Sequence, residues 1–356
     1  MKRKSGKKKK TGMILGVIIV VLAVLIVGAG SMFREELKIT GSICKAGERE
    51  DVFYMEIESD YHFEEFLEGG GASTDGEVSA FLTNCISKGF YQVDVTNEGP
   101  ACSVISAMDE SGAHVWGRNF DWGASVPIIV RCTPENGYAS VSTCEFGNVT
   151  GNTEDMPDNF VNKMLAIAAL YVPMDGINEA GLCVADLEVN EGGMKEVDTD
   201  KPDLTVTTAI RLLLNHAATV EEAVALLGQY DIHASAGISH HLAISDAAGT
   251  SACVEFVDGE AVVVDTNCVT NFNLANGDIA AGGESAKNRY ELLCSVYTEK
   301  EGILTGEEIK DALSQAAQAE GESITQWSIV YRQDAQTVDY YFDGVYQDGI
   351  SYQVGF

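Results

Sequence analysis

The chain has 356 residues, 46% of them apolar, enough to bury a sizeable core in one large domain or two ordinary ones, and disorder is excluded as the default. Its formal net charge of -31 is unevenly spread: residues 1–34 hold eight Lys and Arg and no acid, which leaves 15 basic against 54 acidic residues, a net of -39, from residue 35 onward. A body of that sign repels phosphate backbones, so nucleic acid is not an expected partner.

Residues 1–12 form a basic stub. Met13 to Met32 is then apolar apart from small residues. Twenty residues of helix span roughly 30 Å, the thickness of a bilayer's hydrocarbon core. The run is expected to be a transmembrane signal-anchor, with the stub cytoplasmic and everything after residue 32 outside. A cleaved signal peptide, with Gly28-Ala29-Gly30-Ser31 at the cleavage site, is the rival reading. Residues 33–101 are a mixed acidic segment. It contains Gly69-Gly70-Gly71, read as a flexible joint because no Lys-Ser/Thr follows to make a phosphate loop.

From Cys102 to Phe356 the pattern is denser and reads as one domain of α+β class. Ser103–Met108 and Ala113–Gly117 flank the turn 109–112 as a hairpin. Val126–Cys132 with Tyr138–Cys144, Ala252–Val257 with Ala261–Asp265, and Trp327–Arg332 with Thr337–Phe342 repeat the pattern. Helices are signalled at Thr207–Asn215 and Ser285–Tyr297, and by capping boxes at Thr219/Glu222 and Thr305/Glu308. Hairpins, then helices, then hairpins again predict antiparallel sheet covered by helices, not alternating βαβ units.

The nine cysteines show no CxxC and no zinc-finger spacing. Their odd number leaves at least one thiol free or paired between chains, and Cys183, Cys253 and Cys294 read as small buried hydrophobes. His240-His241 with His233 is not expected to bind metal, because adjacent strand residues point to opposite faces and no further ligand is suitably spaced. Asn148-Val-Thr150 fits a glycosylation sequon.

The chemistry is concentrated at Cys102, with Gly117-Arg118-Asn119-Phe120-Asp121-Trp122 on the partner strand of its hairpin. Hairpin partners lie about 5 Å apart, so Arg118 and Asp121 both reach the neighbourhood of Cys102. The stretch Gly176-Ile-Asn178-Glu-Ala-Gly181 running to Leu187-Glu188, the motif Val269-Thr270-Asn271-Phe272 and the motif Ser285-Ala-Lys-Asn-Arg289-Tyr follow in order. Together these segments resemble the choloylglycine hydrolase family, whose relatives include bile-salt hydrolases, penicillin V acylases and acid ceramidase-type amidases.

The resemblance implies an N-terminal-nucleophile (Ntn) hydrolase fold, a four-layer αββα sandwich with antiparallel sheets, preceded here by the membrane helix and a propeptide, residues 33–101. It implies an amidohydrolase for linear amides with no cofactor and no metal. Cys102, freed by cleavage after Ala101, would be the nucleophile, and its own α-amino group, with an ordinary pKa of about 7.7–8.0, would be the base. By the same analogy Asp121 orients that amine and Arg118 favours the thiolate. The Asn271 side chain and the Glu188 backbone N–H form the oxyanion hole, and Arg289 supports the polar cluster. Cleavage of Ala101–Cys102 would cut the covalent tie to the membrane, leaving only contact with residues 33–101 to retain the catalytic domain. Tetramers are common among soluble members, so a homo-oligomer is compatible. Three other functions stay open: acyl transfer to an amine, a membrane-tethered binding module without catalysis, and a Cys-His protease.

Overall fold

In the computed structural model, two sheets lie face to face between two layers of helix; residues 28, 30–95, 101–189, 194, 195, 197–257, 259–277, 279–321 and 323–355 are described. The basic stub and most of the Met13–Met32 run lie outside these residues, as does Glu98-Gly99-Pro100. Among the described residues no helix is long and apolar enough to cross a membrane.

Three apolar clusters fill the three interfaces between the four layers. One lies between the nine-stranded sheet and helices such as Val206–His216 and Val220–Leu227, with Ile210, Leu213 and Leu214 facing Ile128, Val184 and Leu242. The second lies between the sheets, where Cys102, Val104, Trp116 and Phe120 meet Val141, Ile177, Ala185 and Leu187. The third joins the six-stranded sheet to the helices Gly283–Glu299 and Gly306–Ala316 through Ile105, Val330, Leu293 and Leu313. The order αββα is the expected one.

The four hairpins read from the sequence are strand pairs of these sheets: Ala101–Met108 with His114–Trp122, Pro127–Cys132 with Ser140–Glu145, Ser251–Val257 with Glu260–Asp265, and Ile324–Arg332 with Thr337–Phe342. The Thr305/Glu308 capping box is complete. At Thr219 the side chain accepts from the Glu222 N–H, but Glu222 accepts from the Ala218 N–H and not from the cap residue itself. A further strand, Val345–Gln353, extends the six-stranded sheet beyond the last expected pair.

One neighbouring pair in the large sheet departs from the antiparallel expectation. Phe53–Ile57 pairs in parallel with Pro127–Cys132, Phe53 opposite Ile128 and Ile57 opposite Cys132. Parallel neighbours need a long crossover, and here the intervening chain includes the helices Phe63–Glu68 and Asp75–Ser87 and the Cys102 hairpin. Residues 33–95 are thus built into the sandwich. Phe53, Met55, Phe63, Phe66, Leu82 and Ile86 are all buried in the first cluster. Gly69–Gly71 is no joint. Gly71 has φ of +73°, and a Cβ there would meet the Asp203 carbonyl oxygen at 1.9 Å, so glycine permits a close chain contact. The Asn148 sequon is buried, with its Nδ2 facing the Met174 sulfur at 3.4 Å, which closes it to a glycan in the folded chain.

Candidate active site

Cys102 stands second in its strand, opposite Phe120, with Ala101 opposite Asp121 and Val104 opposite Arg118. Side chains alternate along a strand, so Cys102 and Arg118 face the space between the sheets, and Asp121 faces the helices. Gly117 lets the helix Gly306–Ala316 lie flat on this hairpin: a Cβ there would stand 2.4 Å from Ile309. Asn119 fixes the same helix by donating to the Leu313 carbonyl at 2.8 Å, which is packing and not pocket lining.

Between the sheets, the Arg118 guanidinium donates to the Cys102 sulfur at 3.1 Å. It also donates to Asp175 at 2.5 Å and to the carbonyls of Met174 and Asp186. Burial alone would lower the Arg118 pKa, but the Cys102 sulfur and Asp175 outweigh it and raise it, so the charge is held. Asp175 in turn accepts from Trp327 Nε1 and the Tyr331 hydroxyl. The Cys102 thiol is fully buried, and burial pushes it up to about 11 against the opposing effect of Arg118. In the intact chain the sulfur is therefore a thiol at neutral pH.

On the helix side, Asp121 accepts from the Thr325 hydroxyl at 2.5 Å and from Gln318 Nε2 at 3.0 Å, and it lies 3.5 Å from Arg289. Burial raises its pKa, with Arg289 opposing. Arg289 also donates to the Cys102 carbonyl and, at 2.9 Å, to Asn271 Oδ1. Asn271 joins the pieces: its Oδ1 accepts the Cys102 backbone N–H at 2.8 Å and its Nδ2 donates to the Glu188 carbonyl at 2.9 Å. Five of the six expected site residues thus form one bonded network around Cys102, and Glu188 joins through its carbonyl. In the intact chain the Cys102 nitrogen is an amide bonded to Asn271, and the Asp121 carboxylate is held by Thr325, Gln318 and Arg289.

A cleft of about 260 Å³ opens on this network, lined by Trp122, Glu188, Asn271, Ser285, Arg289 and Gln318, with Ala101 in its wall. Ligand pockets more often run to roughly 300–1,000 Å³. Asn178, by contrast, caps a turn, accepting from the N–H groups of Ala180 and Leu182. Asp175, Gln318 and Thr325 escaped the sequence reading. Asp175 directly precedes the Gly176 stretch, but its pairing with Arg118 spans 57 positions and leaves no local signal.

The adjacent histidines do face opposite ways. His240 bonds to Asp186 at 2.9 Å and to the Ser235 carbonyl at 3.1 Å. His241 lies 3.3 Å from the Cys253 sulfur and 3.7 Å from Glu255. These last three residues could offer metal ligands from one spot. Glu255, however, already accepts from the N–H groups of Leu274 and Ala275, which fixes the segment just after Asn271. Among the described residues no histidine bonds to the Cys102 sulfur, the contact a Cys-His protease needs.

Burial lowers the His240 pKa, but Asp186 at close range raises it more, with Glu188 adding to the effect, so the net shift is upward. A raised histidine contributes stability that is complete below its ordinary pKa of about 6.5 and is lost as pH rises through the native value. The thermal midpoint is accordingly expected to fall as pH rises above about 6.5, and His240→Gln to flatten that slope in a denaturation series.

Residues 102–273 match the family model described as linear amide C–N hydrolases, choloylglycine hydrolase family. This segment belongs to the choloylglycine hydrolase family. Within the chain, 99 residues are 33% identical to a penicillin V acylase of Pectobacterium atrosepticum, a match covering 25% of this chain and about a quarter of the acylase's length. A mutant conjugated bile acid hydrolase of Clostridium perfringens superposes with a TM-score of 0.54 at 17% identity, covering 71% of this chain and 92% of that one. Penicillin V acylase from Agrobacterium tumefaciens gives 0.50 at 20% identity, covering 68% and 83%. The fold is thus Ntn-hydrolase-like, and the family segment begins at the residue on which the network converges.

Proposed function

We propose that the chain is an amidohydrolase for linear amides whose nucleophile, Cys102, is freed by cleavage of its own Ala101–Cys102 bond. The observation that carries this reading is the 3.1 Å contact between Arg118 and the Cys102 sulfur, on a residue whose backbone nitrogen is bonded to Asn271. Cleavage begins when the sulfur attacks the Ala101 carbonyl: a C–S bond forms, the C–N bond breaks, and the nitrogen takes up a proton as the thiol loses one. Water then hydrolyses the thioester, releasing a carboxylate at Ala101 and a free amine and thiol at Cys102.

The new amine, with an ordinary pKa of about 7.7–8.0, is a proton acceptor for its own sulfur near neutral pH. Asp121 lies opposite Ala101 and so beside the new terminus, where it holds the amine's direction. Arg118 balances the thiolate's charge, and Arg289 keeps Asn271 and Asp121 in place. With a substrate amide bound, the sulfur attacks its carbonyl, and the Asn271 side chain and the Glu188 N–H stabilise the oxyanion. The amine leaves with a proton, and water releases the acid. Removal of Ala101 from the cleft wall enlarges the space for the acyl group. The apolar run 13–32 anchors the precursor, with the sandwich outside the cell.

The test is release of free amine from a panel of N-acyl amides by protein whose processed N-terminus is confirmed as Cys102. Absence of both the fragment and the amine rules the reading out. In processed protein, Asn271→Ala is expected to lower kcat by about 10²–10³ with little change in KM, as loss of one oxyanion donor does. A change confined to KM would remove Asn271 from that role.

A further inference from the structure

Three ligand-bearing side chains stand together beside the segment that follows Asn271. His241 lies directly opposite Glu255 on the neighbouring strand, and Cys253 lies two positions before Glu255, on the same face. All three are fully buried. The His241 Nδ1 atom is 3.3 Å from the Cys253 sulfur and 3.7 Å from Glu255 Oε1, and the three ligand atoms all lie within 4.8 Å of one another. No spacing around His241 in the sequence announces such a set, because its other two members come from the next strand.

We propose that His241, Cys253 and Glu255 hold a structural zinc ion through one nitrogen, one sulfur and one oxygen. Zinc bonds of about 2.0–2.3 Å at tetrahedral angles set neighbouring ligand atoms roughly 3.4–3.6 Å apart. The two separations from Nδ1 lie on either side of that spacing. A donor set mixing nitrogen, sulfur and oxygen suits zinc, whereas calcium and magnesium take oxygen.

Charge makes the same demand. Burial would raise the Glu255 pKa, but His241 and the N–H groups of Leu274 and Ala275 outweigh it, so the group is a carboxylate. Among the described residues no Lys or Arg pairs with it, and His241 stands farther away than an ordinary N–H···O bond. A divalent cation among the three side chains compensates this buried charge. The bonds from Leu274 and Ala275 occupy two of the carboxylate's roughly four lone-pair sites. Such bonds are the usual outer support of a ligating carboxylate. Burial pushes the Cys253 thiol up, with Glu255 adding to the effect, so without an ion it is protonated. On binding, the S–H proton passes to solvent and a zinc–sulfur bond forms, one ion taken up for one proton released. The fourth position of the ion is left to water. The site does not rest on the proposed activity.

Purified full-length chain, stripped with a chelator and titrated with cobalt(II), is expected to bind one ion with a sulfur-to-cobalt charge-transfer band and to release one proton. Zinc is expected to displace the cobalt and bleach the band. Free zinc at about 100 times its Kd is expected to raise the thermal midpoint by about 4 °C. Cys253→Ala is expected to lose both the band and the zinc-dependent rise. Glu255→Gln, which keeps the side chain's size, is expected to weaken cobalt binding by about 10²-fold. Cys102→Ala is expected to keep the band, which excludes chelation by a free Cys102 terminus. A chain that binds no cobalt, a band that survives Cys253→Ala, or a band lost in Cys102→Ala would each overturn the assignment. Should Cys253→Ala not fold, unchanged affinity in Glu255→Gln overturns it alone.

Discussion

Cys102→Ala is expected to give a single unbroken chain by intact mass, with amide turnover reduced on the order of 10⁶, the loss seen when a nucleophile is removed from a hydrolase. The wild-type chain is expected as two fragments, the second beginning at Cys102. On the proposed mechanism the same sulfur serves both steps, so one substitution removes both. Cys183→Ala and Cys253→Ala are the controls: both thiols are buried, and neither belongs to the Cys102 network, so processing is expected to continue. Replacing His240 is a second control. Its partners are Asp186 and Ser235 and not the Cys102 sulfur, so a histidine-based protease would lose activity on His240→Gln while the amidohydrolase would retain it. An unbroken chain with full turnover in the wild type would remove the liberated amine from the mechanism.

What the sequence showed and what it hid follow one physical division. The Cys102 hairpin was legible because its strands are contiguous, alternate in pattern and flank a turn rich in Asp, Ser and Gly; the observed pairing runs from Ala101 opposite Asp121 to Met108 opposite His114. The helices at Thr219 and Thr305 announced themselves through caps within four residues. Asn271 and Arg289 were found only by resemblance, since their bonds to the Cys102 backbone span 169 and 187 positions. Asp175 was missed for the same reason. The parallel strand Phe53–Ile57 was hidden because its partner lies beyond a long crossover, and period-2 alternation says nothing of strand direction. Cys294, read as a buried hydrophobe, is only partly buried, on the outer helix Gly283–Glu299.

The second large effect concerns what happens to the pieces once the chain is cut. Residues 33–95 are expected to stay with the catalytic body, so that the two fragments elute together on size exclusion and part only in denaturant. The reason is the kind of surface between them. Phe53–Ile57 is a full strand of the large sheet, hydrogen-bonded to Pro127–Cys132. Phe63 and Phe66 pack on Tyr171 with ring centroids 5.4 and 5.6 Å away, and Phe81 lies 5.2 Å from Phe66. The Tyr171 hydroxyl donates to the Tyr61 carbonyl at 2.9 Å. Pulling residues 33–95 away would expose that cluster and leave the edge of Pro127–Cys132 unpaired, a costly outcome for both pieces. Phe66→Ala should weaken the association by about 3–5 kcal/mol, the usual cost of emptying a buried aromatic site, which is roughly a 10²–10⁴-fold change in the equilibrium. On the proposed anchoring by residues 13–32 and cleavage before Cys102, retention predicts a C-terminal tag in the membrane fraction after processing, and in the medium once Phe66 is replaced. A wild-type tag found wholly in the medium would show that the packed interface does not hold and that cleavage alone sets the catalytic body free.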